Sequence, residues 1–238
     1  MRQVIRENAR HKANAAWVQV GDGARLELHH RPWWRHIQRD FSRYLVTADG
    51  PLRTLFLSQG FWASCVYRLS RAALKRPGWR RALALPFVAV AQKLVEIVTG
   101  ISIAHDCEVG DGLYIGHYGS IFLPAGGRVG HNCSLAQNVC IGPAPGGESR
   151  GVPVIGNRVF IGAHSVIVGP ITVGDDAMIC AGAVVNRPVP ARAVVMGNPA
   201  RVISHDGSFE YVLYEGMEDD PARRASLERG RSLNVGPA

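Results

Sequence analysis

ISIAHDCEVGDGLYIGH (Ile101–His117) and VPVIGNRVFIGAHSVIVGPITVGDDAMICAGAVV (Val152–Val185) decide how this chain folds. Through and between them an aliphatic residue returns at a fixed step: Ile103, Val109, Ile115, Ile121, Val129, Leu135, Ile141, Ile155, Ile161, Ile167, Val173, Ile179 and Val185. Ten of the twelve gaps are six residues, one is eight and one is fourteen. The residue after each is usually Gly or Ala, as at Ala104, Gly110, Ala136 and Gly162. A helical period of 3.6 or a strand period of 2 does not give a step of six. A parallel β-helix does, because each hexad supplies one short strand and one corner. The aliphatic side chain points into the shaft and the small residue lets the chain turn. Each inward Ile or Val contributes about 1.5–3 kcal/mol by burial, so thirteen in register suffice for a solenoid of this length.

Two interruptions of the repeat are expected. Two extra residues fall between Ile121 and Val129, around Pro124–Gly127, and a longer insert, Gly142–Pro153 (GPAPGGESRGVP), leaves the shaft as a loop. After Val185 the register dissolves through Pro188 and Pro190, and the tail from His205 is polar with one short helix near Pro221–Arg229.

Upstream the reading changes. Trp33, Ile37, Phe41, Tyr44 and Leu45 share one helical face. Gly50-Pro51 breaks that helix and starts a second, which carries Leu55, Phe61, Val66 and Leu69 and ends near Pro77-Gly78. A third runs from about Trp79 to Gly100 and contains Pro86. Residues 1–30 are the least legible, with a hairpin expected around Gly21-Asp22-Gly23. The fold class is therefore mainly β: a hexad-built parallel β-helix over 101–203, preceded by a small α-helical region over 31–100. An N-terminal extension (1–30) and a C-terminal tail (204–238) flank them.

Composition narrows the setting. The 238 residues carry a net charge of +8, but residues 1–100 hold 17 Lys/Arg against 6 Asp/Glu (+11) while residues 101–238 hold 10 against 13 (−3). Such asymmetry fits an anionic partner at the N-terminal part, whether membrane surface, diphosphate or acidic saccharide, against the plain alternative of a solvated Arg-rich face. Nucleic acid is not expected, since Trp33, Trp34 and Tyr44 have helix-packing spacing and no binding motif accompanies them. Five cysteines without a CxxC pattern indicate a reduced, cytoplasmic compartment, and the charged Met1–Lys12 segment is no signal peptide. The most apolar window, Ala82–Gln92, is shorter than the ~20 residues of a membrane span.

These segments resemble a known family, the left-handed β-helix acyltransferases that include serine acetyltransferase. Ile101–His117 is similar to the family's opening coil with its catalytic histidine, 152–185 to its central coils, and VVMGNPARVI (194–203) to its closing Gly-x-Pro-Ala-Arg signature. IQRDFSRYL (37–45) and QGFWASCVYRLSRAAL (59–74) resemble the helices before the coils. The likeness implies a left-handed parallel β-helix, acetyl-CoA as co-substrate and a homotrimer with sites between subunits. It is nearest to the serine-acetyltransferase-like enzymes that modify exopolysaccharide or capsule sugars. Three departures from serine acetyltransferases point that way. Gly116 stands where an Asp precedes the catalytic His, Ser102 where an acid pairs with it, and Arg150-Gly151-Val152-Pro153 where an Arg-His-Pro sequence holds a second His.

His117 is the expected general base, since imidazole takes a hydroxyl proton near neutral pH and such a base contributes about 10²–10⁴-fold. Glu96 and Asp106 are the acids within reach; Glu96 is the expected orienting partner, and Asp106 with Arg150 is expected to meet the acceptor. The resemblance places acetyl-CoA against Gly142, Ala163, Ala181 and Arg201, with Arg187 as an additional cation. His105, His131 and His164 raise the question of a metal site, but no H-x4-H spacing joins them, so no metal is expected. The leading function is acetyl transfer to a hydroxyl of a saccharide or saccharide lipid, with the basic helices docked on the inner membrane face. Serine or another small amino acid as acceptor is the alternative, and a non-catalytic scaffold the third reading.

Overall fold

The computed structural model describes residues 32–47, 50–144, 151–221 and 223–224. The expected hairpin near Gly21 and the side chain of Arg150 lie outside these residues. Four helices open the described chain: α1 (Trp33–Val46), α2 (Pro51–Leu57), α3 (Gln59–Leu74) and α4 (Trp79–Thr99). The single second helix expected from sequence is in fact two. Ser58 breaks it with extended backbone and caps α3, accepting from the Phe61 N–H.

Fifteen short strands, β1 (Ile101–Ile103) to β15 (Arg201–Ser204), follow in three sheets. Sheet A holds β1-β4-β7-β10-β13, sheet B holds β2-β5-β8-β11, and sheet C holds β3-β6-β9-β12-β14-β15. From β1 to β13 every third strand joins the same sheet and pairs in parallel, which is the wiring of a three-sided coil. All thirteen aliphatic residues of the repeat are buried and form one continuous core.

The pairing moves one of the interruptions. Ile103 stacks on Leu123 and Ile101 on Ile121, while Phe122 pairs with Cys140 and Ile141 with Ile167. Leu123, not Ile121, thus continues the column above Ile103, and Ile121 belongs with Ile101. The two extra residues lie before Leu123, in the corner that carries His117, rather than around Pro124–Gly127. The sequence could not separate these placements, because Ile121 and Leu123 are both aliphatic and both buried.

The coil also runs beyond Val185. Val189 bridges to Val173, and β14 (Val194–Met196) pairs with β12 (Met178–Ile179) before β15 turns back antiparallel. The tail is not merely polar, since Phe209 and Val212 are buried and Tyr211 packs on Phe160.

At the other end the first coil presents strand edges with no coil beneath them, and helix side chains meet those backbone groups. Gln92 donates to the Ile103 carbonyl at 3.1 Å. Tyr67 and Arg71 donate to that of Cys107, each at 2.6 Å. Tyr44 donates to the Ile115 carbonyl and accepts from the Ile115 N–H. Burial pushes the Tyr67 phenol up to about 12 and Tyr44 higher still, so both remain protonated donors.

Asp40 and Arg68 anchor this arrangement. Arg68 is 4% exposed and Asp40 fully buried; Nε and Nη2 of Arg68 reach the carboxylate at 3.0 and 3.1 Å. The same guanidinium donates to the carbonyls of Val109 and Gly110, while Asp40 accepts from the N–H groups of Gly112 and Leu113. Of the apolar face expected from the periodicity of α1, Ile37 and Phe41 are half-buried and Tyr44 buried, with Phe41 and Tyr44 against Phe61. Asp40, Arg43 and Tyr44 face inward, and Trp33 and Leu45 are exposed.

Helix α3 rests directly on β3 (Tyr114–Ile115) at Gly60. A Cβ there would lie 2.3 Å from the Ile115 carbonyl oxygen and 2.7 Å from the Tyr44 hydroxyl. Gly60→Ala is therefore expected to lift α3 from the coil despite alanine's better helix propensity. A destabilisation of about 1–3 kcal/mol should appear in urea unfolding.

Candidate active site

The corner from Gly116 to Ser120 joins β3 to β4 (Ile121–Leu123) and is lengthened by the two extra residues. Gly116, His117 and Tyr118 are exposed on it. Two hydrogen bonds fix its far side to the end of α4: Gly119 N–H to the Thr99 carbonyl and Ile121 N–H to that of Gly100, both at 3.0 Å. His117 thus projects from an enlarged corner held at the helix–coil junction. Among the described residues no partner orients its ring.

Glu96, in the last turn of α4, accepts from the Ser102 hydroxyl at 2.7 Å and from Lys93 Nζ at 2.6 Å. Burial pushes its carboxyl up, but the bonds from Lys93 and Ser102 outweigh that and hold it below the ordinary carboxylate range. Glu96 is therefore ionised at neutral pH. Ser102, on β1 beneath Phe122, takes part through this bond, a role that spacing alone did not reveal.

The remaining predicted residues divide between two edges of the prism. Ala163 and Ala181 lie on the edge where sheet C turns into sheet A, in successive coils above the His117 corner. The turn before Arg201 crosses the same edge, with Ala200 N–H bonded to the Val184 carbonyl at 2.9 Å. His117, Ala163, Ala181 and Arg201 therefore form a line from the bottom of one edge to the top. Gln137 belongs to it by register and was not singled out from sequence.

Asp106 and Arg187 lie on the next edge, where sheet A turns into sheet B, and β7 (Cys140–Gly142) ends at that edge. Within one chain the three-residue width of sheet A, ~10 Å, separates Asp106 from the His117 edge. Spacing along the chain made Asp106 look near, whereas a corner rotates it away. Between the two edges the outward column of sheet A is Ser102, Phe122, Cys140, Val166 and Val184, largely apolar and 44% exposed at Phe122.

The three histidines weighed as metal ligands stand on three different edges. His105 is exposed at the A–B edge, and His131 Nδ1 accepts from the Asp111 N–H at the B–C edge. His164 sits at the C–A edge with φ +60, its ring against Asn138. They do not converge on one point. The B–C edge has its own polar cluster, in which His36 Nδ1 contacts Asp111 Oδ1 and ties α1 to the first coil.

Residues 153–187 match the family model described as bacterial transferase hexapeptide (six repeats). The chain is 33% identical over 171 residues to a serine acetyltransferase of Mycobacterium tuberculosis, covering 70% of this chain and 72% of that protein. It is 32% identical over 152 residues to one of Helicobacter pylori strain 26695, covering 64% and 85%. Among solved structures, the serine acetyltransferase of Neisseria gonorrhoeae in complex with serine superposes with a TM-score of 0.61 at 28% identity, covering 71% of this chain and 68% of that one. A serine acetyltransferase in complex with CoA gives a TM-score of 0.62 at 26% identity, covering 72% and 69%.

Proposed function

The chain belongs to the hexapeptide-repeat acyltransferases related to serine acetyltransferase, and from that premise we propose that it transfers acetyl from acetyl-CoA to the hydroxyl of serine. The observation that supports this most is the line of His117, Ala163, Ala181 and Arg201 along one edge, a base below a run of small residues and a cation above. A pantetheine arm needs such small residues for close approach to backbone, and Arg201 supplies charge for phosphate. Serine takes the place of the saccharide expected from sequence, because the relatives and neighbours named above are serine acetyltransferases, one of them crystallised with serine.

In the proposed reaction the acceptor O–H donates its proton to the His117 imidazole as its oxygen attacks the thioester carbon. The tetrahedral intermediate collapses with loss of the CoA thiolate, and the imidazolium returns its proton to that sulfur. The base acts directly, with no acyl-enzyme. Glu96, held by Ser102 and Lys93, supplies negative charge at the helix–coil junction below the site. Sheet A's apolar outer column, lying between the His117 edge and the edge that bears Asp106 and Arg187, supports assembly into a trimer. In it Gly142, Arg187 and Asp106 of one copy meet the base of another.

One observation keeps a saccharide acceptor as a second reading. Position 102 holds a neutral serine already donating to Glu96, so no acid stands there. An acceptor screen with purified protein and acetyl-CoA separates the two. Release of free thiol with serine, and none with hexoses or oligosaccharides, is the expected result; the reverse pattern would install the sugar.

A further inference from the structure

Helix α4 is 21 residues long, with a mean hydropathy of 1.6 over its most apolar 18 residues, yet only 6% of that window is buried. By length and composition it is able to cross a membrane, which the eleven-residue window Ala82–Gln92 did not suggest. Its two faces differ. Ala84, Val88, Ala91, Gln92, Val95, Glu96 and Thr99 are half-buried or buried, on the side that meets α3 and β1. Trp79, Leu83, Phe87, Val90, Leu94 and Ile97 recur at steps of four and three on the opposite side, with Phe87 75% and Ile97 73% exposed. That second stripe is ~27 Å long and exposed among the described residues, with the Arg80 guanidinium over the Trp79 ring.

We propose that this stripe lies in the surface of an anionic phospholipid bilayer, with α4 parallel to the membrane plane. Charge chooses the occupant. From Gly50 to Val95 there are eight Lys or Arg and no Asp or Glu. Lys75, Arg76, Arg80 and Arg81 are exposed where α4 begins, beside Trp79, a residue suited to the headgroup level. Lys93 is 70% exposed beside the stripe, its stem along the helix surface and its ammonium paired with Glu96. A second copy would bring the same +11 of residues 1–100 against this one, whereas an anionic leaflet attracts it. Orientation follows from the fold. The inner face of α4 is occupied by α3, Gln92 is bonded to Ile103, and Gly100 leads straight into β1, so lipid cannot surround the helix without stripping it from the coil. A long helix, apolar on one side and basic at its end, is what an interfacial anchor requires.

Flotation of the full chain with phosphatidylcholine vesicles, with and without phosphatidylserine, tests this. Binding should be about tenfold stronger to the anionic vesicles and fall by about tenfold in Arg80→Glu/Arg81→Glu. Leu83→Asp/Phe87→Asp should lose binding to a similar extent while its circular dichroism, melting temperature and acetyl transfer in solution stay unchanged. Should the aspartate pair fail to fold, the charge-reversed pair carries the test alone. Equal binding to both vesicle types, or binding indifferent to both pairs of substitutions, overturns the proposal. So does absence of binding together with a self-assembly that the aspartate pair dissolves, which would assign the stripe to a contact between copies.

Discussion

His117→Ala is expected to lower acetyl transfer by about 10²–10⁴-fold, a barrier increase of about 3–5 kcal/mol, with little change in KM for acetyl-CoA. The ring projects from an exposed corner, and among the described residues it carries no structural hydrogen bond. Its removal should therefore leave melting temperature unchanged, separating chemistry from folding. A His117→Ala protein with near-full turnover would disprove the assignment of the base.

That corner also shows what sequence could and could not reveal. The step of six identified the coil and its core, because one buried side chain per hexad is a constraint that each strand obeys separately. Register was harder. Ile121 and Leu123 differ by two positions in a strand, so both point inward and either satisfies the pattern; only pairing with Ile101 and Ile103 decides between them. Asp106 looked near His117 in sequence because spacing counts residues, whereas each corner rotates the next strand to a new face. Asp40 was overlooked for the opposite reason. A buried carboxylate breaks the apolar stripe by which helix faces are recognised, and its partners Arg68, Gly112 and Leu113 are distant along the chain. The apolar run of α4 was read as shorter than it is, since Lys93 and Glu96 interrupt its hydropathy without ending the helix.

Asp40→Ala should be the most damaging single change outside the active corner. It leaves a guanidinium charge 4% exposed without its carboxylate, and it orphans the N–H groups of Gly112 and Leu113. Burial disfavours the Arg68 cation, and Asp40 more than offsets this, so Arg68 stays charged when folded. Removing one partner of such a pair costs about 3–5 kcal/mol, which for a chain of this size lowers the melting temperature by about 10 °C. Calorimetry of Asp40→Ala beside Asp40→Leu/Arg68→Met distinguishes the clamp from general packing. The double variant should recover part of the loss, because no uncompensated charge remains. A single variant melting within a degree of the parent would contradict this account.

Both ends of the shaft are stoppered. Below, the side chains of Tyr44, Tyr67, Arg68, Arg71 and Gln92 occupy the strand edges of the first coil; above, β15 doubles back across β14. A stack of parallel rungs is otherwise a template for more of itself, and chains with bare ends would join head to tail into filaments. The helices and the returning strand thus set the number of rungs and keep each molecule a discrete, finite rod.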